Sequence, residues 1–282
     1  MSRKFTGEED DWLDDAEHKP RPKAAKKPVL SRAEVLPPEL GNAVVTAIFQ
    51  NQSAARLDGQ AESALCAYRM STLAFGLSNR ERSPVCVGDR VRVESGVIVG
   101  RCERRNRIAR PAPNARDPLI HVLAANIDVL VVVASAREPE FSAGFIDRLV
   151  AAAALQKIPV ILCINKTDLL DGGHARPWSH YKVDGIVVVE LCAKNGRGTD
   201  ALLALLVGKT AAFCGNSGVG KTSLLRRLLG DDSYGRTGAV NERSGKGRHT
   251  TSGAVMLAGP GGANFIDTPG VMNFGSLEEP SK

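Results

Sequence analysis

The sequence predicts an α/β fold with a largely parallel sheet, preceded by a small all-β barrel, and three observations lead there. From about Asn126 onward, uninterrupted apolar runs alternate with apolar-periodic segments of helical length. One turn between such a run and such a segment is rich in glycine, at Gly215 to Gly220. Between about Gly41 and Arg110 the texture differs, with short β-like runs separated by Gly, Asn, Asp and Ser. Continuous apolar strands alternating with helices are buried on both faces and belong to a parallel sheet. Several short strands at close spacing belong to a barrel or sandwich.

Taken in order, residues 1–40 carry acids first and then the Lys/Pro/Ala stretch KPRPKAAKKP, a composition expected to form a disordered tail. Residues 41–112 hold AVVTAIF, ALCAYRM, VGDRVRV and GVIVGRCERR, and their span fits a five-stranded barrel of the OB type, a fold that often binds nucleic acid. Residues 113–275 form the α/β part. There IDVLVVVAS reads as a buried strand, AGFIDRLVAAAALQ as a helix and IPVILCINK as a second buried strand. GIVVVELCAK, ALLALLVG, KTAAFCGN and TSLLRRLLG continue the rhythm, and residues 276–282 form a short end.

The 282 residues are enough for two compact domains, and 43% hydrophobic with 24% charged residues is ordinary soluble composition. No run of about eighteen uninterrupted apolar residues occurs, so no membrane association is expected. The polar, acidic MSRKFTGEEDDWLDD does not fit a secretory signal. Six cysteines lie far apart without C-x-x-C pairing and read as buried free thiols, which points to the cytoplasm. The net charge is +6, and between Arg80 and Arg116 ten arginines face four acids. A solvated basic face and a footprint for nucleic-acid phosphates both fit that segment, and charge alone does not decide.

The glycine-rich turn carries specific chemistry. Gly215-Asn216-Ser217-Gly218-Val219-Gly220-Lys221-Thr222 satisfies G-x-x-x-x-G-K-[ST], between strand-like KTAAFC and helical TSLLRRLL, with Ser223 next in line. Such glycines let backbone N–H groups converge on a β-phosphate at a helix N-terminus. Lys221 is expected to reach the β- and γ-phosphates, and the Thr222 hydroxyl to ligate Mg²⁺.

Fifty residues earlier, NKTD (Asn165 to Asp168) follows the strand VILCI. An aspartate can accept two hydrogen bonds from guanine N1–H and its exocyclic amine, which adenine does not offer. Asp168 is expected in that role, with Asn165 bracing the neighbouring loops and the stem of Lys166 across the base. Cys192-Ala193-Lys194 is similar to an S-A-K loop whose backbone N–H meets guanine O6. Downstream, Asp267-Thr268-Pro269-Gly270 matches D-x-P-G, with Asp267 expected to hold Mg²⁺ through water and the Gly270 N–H to sense a γ-phosphate. Between phosphate loop and D-x-P-G lies Gly247-Arg248-His249-Thr250-Thr251, where Thr250 or Thr251 is expected to close over Mg²⁺ and the γ-phosphate.

The five pieces run base, base, phosphate, switch, switch, whereas ordinary GTPases run phosphate, switch, switch, base, base. One cut and one join interconvert the two orders, so the α/β part reads as a circularly permuted P-loop GTPase domain. With VGDRV, RRNRIARP, IDR, INKTDL, GNSGVGKTS, GRHTTS and DTPG the chain resembles the circularly permuted GTPases that depend on the small ribosomal subunit, over about Gly41 to Gly275. The resemblance implies GTP and GDP as ligands, Mg²⁺ as cofactor, an OB barrel touching ribosomal RNA, and a role late in small-subunit maturation. It also implies slow intrinsic hydrolysis that the subunit stimulates, by a protein read here as a monomer. Members of that family continue into a helical domain with a Cys/His zinc knuckle. No cysteine or histidine here has ligand spacing, so no zinc is expected, and the short end at 276–282 reads either as truncated or as a sign of reduced ribosome contacts.

Two other readings stay open, a nucleotide- and RNA-binding module with little turnover and a P-loop ATPase with a coincidental NKTD. Val271 follows Gly270 where Ras-like enzymes carry the glutamine that orients water, which leaves His249 as the residue the resemblance implies for that task. On this expectation His249→Ala slows subunit-stimulated hydrolysis and spares nucleotide binding. Equal single-turnover rates of the two proteins with small subunits would remove His249 from the mechanism.

Overall fold

The computed structural model of the chain describes residues 35–49, 52–68, 81, 83–111, 120–173, 175–235 and 253–268. The expected tail therefore lies outside the described residues apart from its last few positions, as do His249, Thr250, Thr251, Gly270 and the expected end at 276–282.

Five strands close the barrel: β1 (Ala43–Ile48), β2 (Gln52–Leu57), β3 (Ser63–Tyr68), β4 (Arg90–Glu94) and β5 (Val97–Arg101). They run β1-β2-β3-β5-β4, and β4 returns to β1 through Ala43↔Val91. All pairings are antiparallel except β3 with β5. The β4–β5 turn is only Ser95-Gly96, with φ of 48° and 76°. A two-residue hairpin whose strands keep their twist needs positive φ at both positions, which is why glycine sits there. Alternation sends Ala43, Val45, Ala55, Cys66, Val91, Val93 and Ile98 inward, side chains small enough to fill a narrow barrel.

A hairpin of β6 (Arg107–Pro111) and β7 (Ile120–Ala125) follows. Its two strands lie on either side of residue 112 and lead on to IDVLVVVAS.

The α/β part comprises β8 (Val129–Ser135), α1 (Ala143–Leu155), β9 (Val160–Asn165), α2 (Ser179–Val183), β10 (Val187–Glu190), α3 (Thr199–Leu206), β11 (Thr210–Gly215), α4 (Lys221–Leu229), β12 (Val255–Ala258) and β13 (Asn264–Asp267). The strand order is β10-β9-β8-β11-β13-β12, parallel except for antiparallel β12. All seven residues of β8 are buried. Leu130, Val132 and Ala134 face the cluster under α1 and α2, while Val129, Val131 and Val133 face the cluster under α3 and α4. Both faces are covered, and a strand so placed reads as a continuous apolar run. In α1, Phe145, Ile146, Leu149, Ala152 and Ala153 make one buried stripe at helical spacing.

The barrel joins this sheet edge to edge, because β1 pairs with β12 at Ala47↔Val255 and eleven strands become continuous. Arg56 Nη2 adds a 2.6 Å bond to Asn264 Oδ1. Two asparagines bind the linker to the β8 approach: Asn106 brackets Ile127 through its N–H and carbonyl at 2.9 and 2.8 Å, and Asn126 accepts from Arg105 N–H at 2.8 Å while donating to Gly88 at 2.9 Å.

The arginine-rich segment is largely committed to the fold. Arg104 clasps Asp89 through Nε and Nη2 at 2.6 and 2.8 Å and reaches Glu81 at 2.9 Å. Arg107 also pairs with Glu81, Arg105 with Asp128 and Arg92 with Glu94, and Arg90 forks onto Asp58 at 2.6 and 2.5 Å. Arg101 is buried. Asp89 is fully buried and also accepts the Cys86 N–H at 2.7 Å. Removing one partner of a buried ion pair strands the other charge in a poor solvent. Asp89→Ala is therefore expected to cost roughly 3–5 kcal/mol, read as a fall in the denaturant midpoint. A loss below about 1 kcal/mol, the range of an exposed pair, would show that Glu81 alone suffices to hold the Arg104 charge.

Candidate nucleotide site

Loops at the carboxyl ends of β9, β10, β11 and β13 meet at one end of the sheet, the usual place for ligands in open α/β folds. The phosphate-type loop bridges β11 and α4. Gly215 ends the strand and is buried, Ser217, Gly218 and Ser223 are exposed, and Asn216 is half-buried. Gly220 adopts φ 91° and precedes α4, whose first residue is Lys221. A Cβ on Gly220 would run into the side-chain amide of Asn165, so the position tolerates only glycine on two counts. Leu224, Leu225 and Leu228 anchor α4 on the sheet, fixing where its N-terminal N–H groups lie.

Asn165 is the hub. Its Nδ2 donates to the Val219 carbonyl at 2.9 Å, and its Oδ1 accepts the Ala193 N–H at 2.9 Å. One buried amide thus joins the NKTD loop, the phosphate-type loop and the Cys192-Ala193-Lys194 loop. Lys166, in the left-handed region at φ 61°, extends to the Glu138 carbonyl. Lys194 is exposed.

Asp168 is exposed at the mouth, and the Cys192 thiol donates to its Oδ1 at 3.1 Å. That hydrogen bond holds the carboxyl below its usual value against the opposing effect of desolvation, with Lys194 and Arg197 contributing smaller attractions. A carboxylate kept ionised with one oxygen restrained suits paired N–H donors. Thr167 is buried, donates to the Leu191 carbonyl at 2.9 Å and accepts from Arg197 Nη2 at 2.7 Å. Arg197 carries no motif, and only its place five residues beyond Cys192 hints at it.

At the other end of the loop, Lys221 Nζ lies 2.8 Å from Asp267 Oδ1 and donates to the Thr268 carbonyl. Thr268 is buried and donates to the Phe213 carbonyl at 2.7 Å, locking β13 to β11. Tyr234, absent from the sequence-derived set, donates its hydroxyl to Asp267 Oδ2 at 2.6 Å. Burial first, then the Asp267 charge, push the Tyr234 phenol well above its ordinary range and keep it a donor. Asp267 Oδ1 is buried and makes no aligned hydrogen bond, the Lys221 contact being ionic. An acceptor oxygen left in that state fits a hard dication that takes few protein oxygens, and Thr222, which follows Lys221 on α4, carries a hydroxyl of the same kind. His249, Thr250, Thr251 and Gly270 lie outside the described residues, so the arrangement of the two switches is not part of this geometry.

Comparison with known proteins adds the lineage. The RsgA GTPase family model matches residues 101–277. The small ribosomal subunit biogenesis GTPase RsgA of Marinobacter nauticus is 40% identical over 200 residues, which cover 67% of this chain and 55% of that protein. Its namesake from Chlorobaculum tepidum is 34% identical over 220 residues, covering 73% and 70%. The chain thus spans little more than half the length of some of the curated relatives it matches. Among solved structures, YjeQ from Thermotoga maritima superposes with a TM-score of 0.56 at 28% identity, covering 82% of this chain and 74% of that one. YloQ, described as a circularly permuted GTPase, gives 0.53 at 21% identity over 83% and 73%, a likeness of fold. With the permuted strand order, the closed barrel and a family match over more than half its residues, the chain belongs to the RsgA GTPase family.

Proposed function

We propose that this chain is a Mg²⁺-dependent GTPase, converting GTP to GDP and phosphate under stimulation by the small ribosomal subunit late in that subunit's maturation. The observation that carries the reading is the Asn165 amide. By bonding both Val219 and Ala193 it holds the base-type and phosphate-type loops at a fixed separation, as one guanine nucleotide requires. The relatives' names, small ribosomal subunit biogenesis GTPase, support the partner.

In this reading the backbone N–H groups of Asn216 to Gly220, together with the α4 N-terminus, receive the β-phosphate. Lys221 exchanges Asp267 and the Thr268 carbonyl for phosphate oxygens. Asp168 accepts from the guanine edge, Ala193 meets guanine O6, and Lys166 and Lys194 flank the base. Mg²⁺, when bound to Thr222 and through water to Asp267, neutralises charge on the β- and γ-phosphates. Thr250 or Thr251 and Gly270 respond to the γ-phosphate, and His249 orients the attacking water. The barrel meets ribosomal RNA. Arg92, Arg105 and Arg107 have acidic partners yet stay 43%, 62% and 37% exposed, and with the barrel they are assigned that contact. The protein is read as monomeric and cytoplasmic.

Asp168→Asn replaces an acceptor with a donor toward guanine's exocyclic amine, so preference is expected to move from guanine to xanthine nucleotides. Titration with labelled GDP and XDP checks it, and unchanged GDP affinity would overturn the base assignment. Co-sedimentation with small subunits in GDP, GTP or a non-hydrolysable analogue, paired with single-turnover hydrolysis, tests the whole reading. Association that depends on the nucleotide, and hydrolysis that rises with subunits, are expected. Hydrolysis that stays flat leaves a binding module instead of an enzyme.

A further inference from the structure

Tyr234 and Gly235 are consecutive residues just beyond α4, and between them they touch both side chains assigned to Mg²⁺. The Tyr234 hydroxyl holds Asp267 by Oδ2 at 2.6 Å. Gly235, at φ 70°, lies so close to Thr222 that an added Cβ would overlap its Cγ2 methyl. The dipeptide is itself fixed. Arg226 Nε, on α4, donates to the Tyr234 carbonyl, and the Tyr234 N–H donates to the Asp231 carbonyl at 3.3 Å. The Tyr234 ring packs on the cluster beneath α3 and α4.

The chemistry of the contacts is selective. Tyr234 takes the carboxylate oxygen that Lys221 does not, and Gly235 takes the methyl branch of Thr222 and not its hydroxyl. What remains uncommitted to the dipeptide is one oxygen on each residue, Asp267 Oδ1 and Thr222 Oγ1. Groups that hold a metal's ligands by their other atoms set ligand orientation and so affinity. Only glycine serves at 235, because a side chain would be strained at that φ and would push Thr222 aside.

We propose that Tyr234 and Gly235 are positioning residues for Mg²⁺, aligning Thr222 Oγ1 and the Asp267 Oδ1 that holds the metal through water by contacts with the other atoms of those side chains. The inference rests on the reading that Thr222 and Asp267 hold the metal. It is tested by the release rate of a fluorescent GDP analogue from the full chain, measured from EDTA to millimolar Mg²⁺. Tyr234→Phe is expected to raise the half-saturating Mg²⁺ concentration by about tenfold, with release in EDTA unchanged. Gly235→Ala is expected to shift it in the same direction, and Thr222→Ala to flatten the Mg²⁺ dependence altogether. A normal Mg²⁺ midpoint in Tyr234→Phe, with Thr222→Ala flat, overturns the positioning role and leaves the metal assignment standing. Equal acceleration of Tyr234→Phe with and without Mg²⁺ makes the residue a structural strut and also overturns it. Release that ignores Mg²⁺ in the unmodified chain removes the metal assignment and the inference together. Should Gly235→Ala fail to fold, Tyr234→Phe, which keeps the ring and its packing, decides alone.

Discussion

The site depends on one buried amide. Asn165 is satisfied at both its nitrogen and its oxygen by backbone groups of two other loops, so three loops separated in sequence move as one body. A buried hydrogen bond contributes on the order of 1 kcal/mol net, whereas an orphaned buried partner costs roughly 1–3 kcal/mol. Loss of the Asn165 side chain would strand the Val219 carbonyl and the Ala193 N–H together. The same amide explains the missing side chain at Gly220, whose Cβ would fall on Nδ2. The NKTD loop and the phosphate-type loop are thus tied through a single side chain.

Chain order is immaterial to that coupling. β11 lies between β8 and β13, all parallel, whichever strand is threaded first. Register then places the ends of β9, β11 and β13 at the same edge of the sheet. The barrel meets the antiparallel edge strand β12 through β1, whose one registered pair, Ala47↔Val255, caps part of an edge that would otherwise lie open.

Much of this was legible because it is local. The phosphate-type loop, NKTD and D-x-P-G each depend on residues within a few positions, and the runs that became β8, β9 and β11 are apolar throughout. The permuted fold class follows from the order of those motifs. Four strands escaped, β2, β6, β7 and β12, with the β6–β7 hairpin lying between the expected barrel runs and the expected α/β runs. β2 is QSAARL, polar and alanine-rich, and it is a strand because β1 and β3 pair with it from either side. β12 is four residues long with only Met256 buried, too short to show a period. Charge counting met a different limit. It registered ten arginines as one feature, while their partners Asp58 and Asp128 lie outside the counted segment, in sequence positions no local pattern connects. Tyr234 was invisible for the same reason, its carboxylate partner being 33 residues downstream. Cys192 was expected to act through its backbone, and its thiol proves to restrain Asp168 as well.

The position of β11 has a mechanical consequence. The chain enters the α/β part at the start of β8 and leaves it at the end of β13, on opposite sides of β11 and at opposite ends of the sheet. Tension applied between residues 128 and 268 would run along the strands and drag β8 and β13 in opposite directions past β11. The ladders from Ala211↔Val129 to Gly215↔Val133 and from Thr210↔Asn264 to Phe213↔Asp267 would then carry the load simultaneously, in shear, and not peel one bond at a time. The strand that ends in the phosphate-type loop thus lies between the two loaded strands, and a pull on either flank is transmitted to it through a full ladder of main-chain hydrogen bonds.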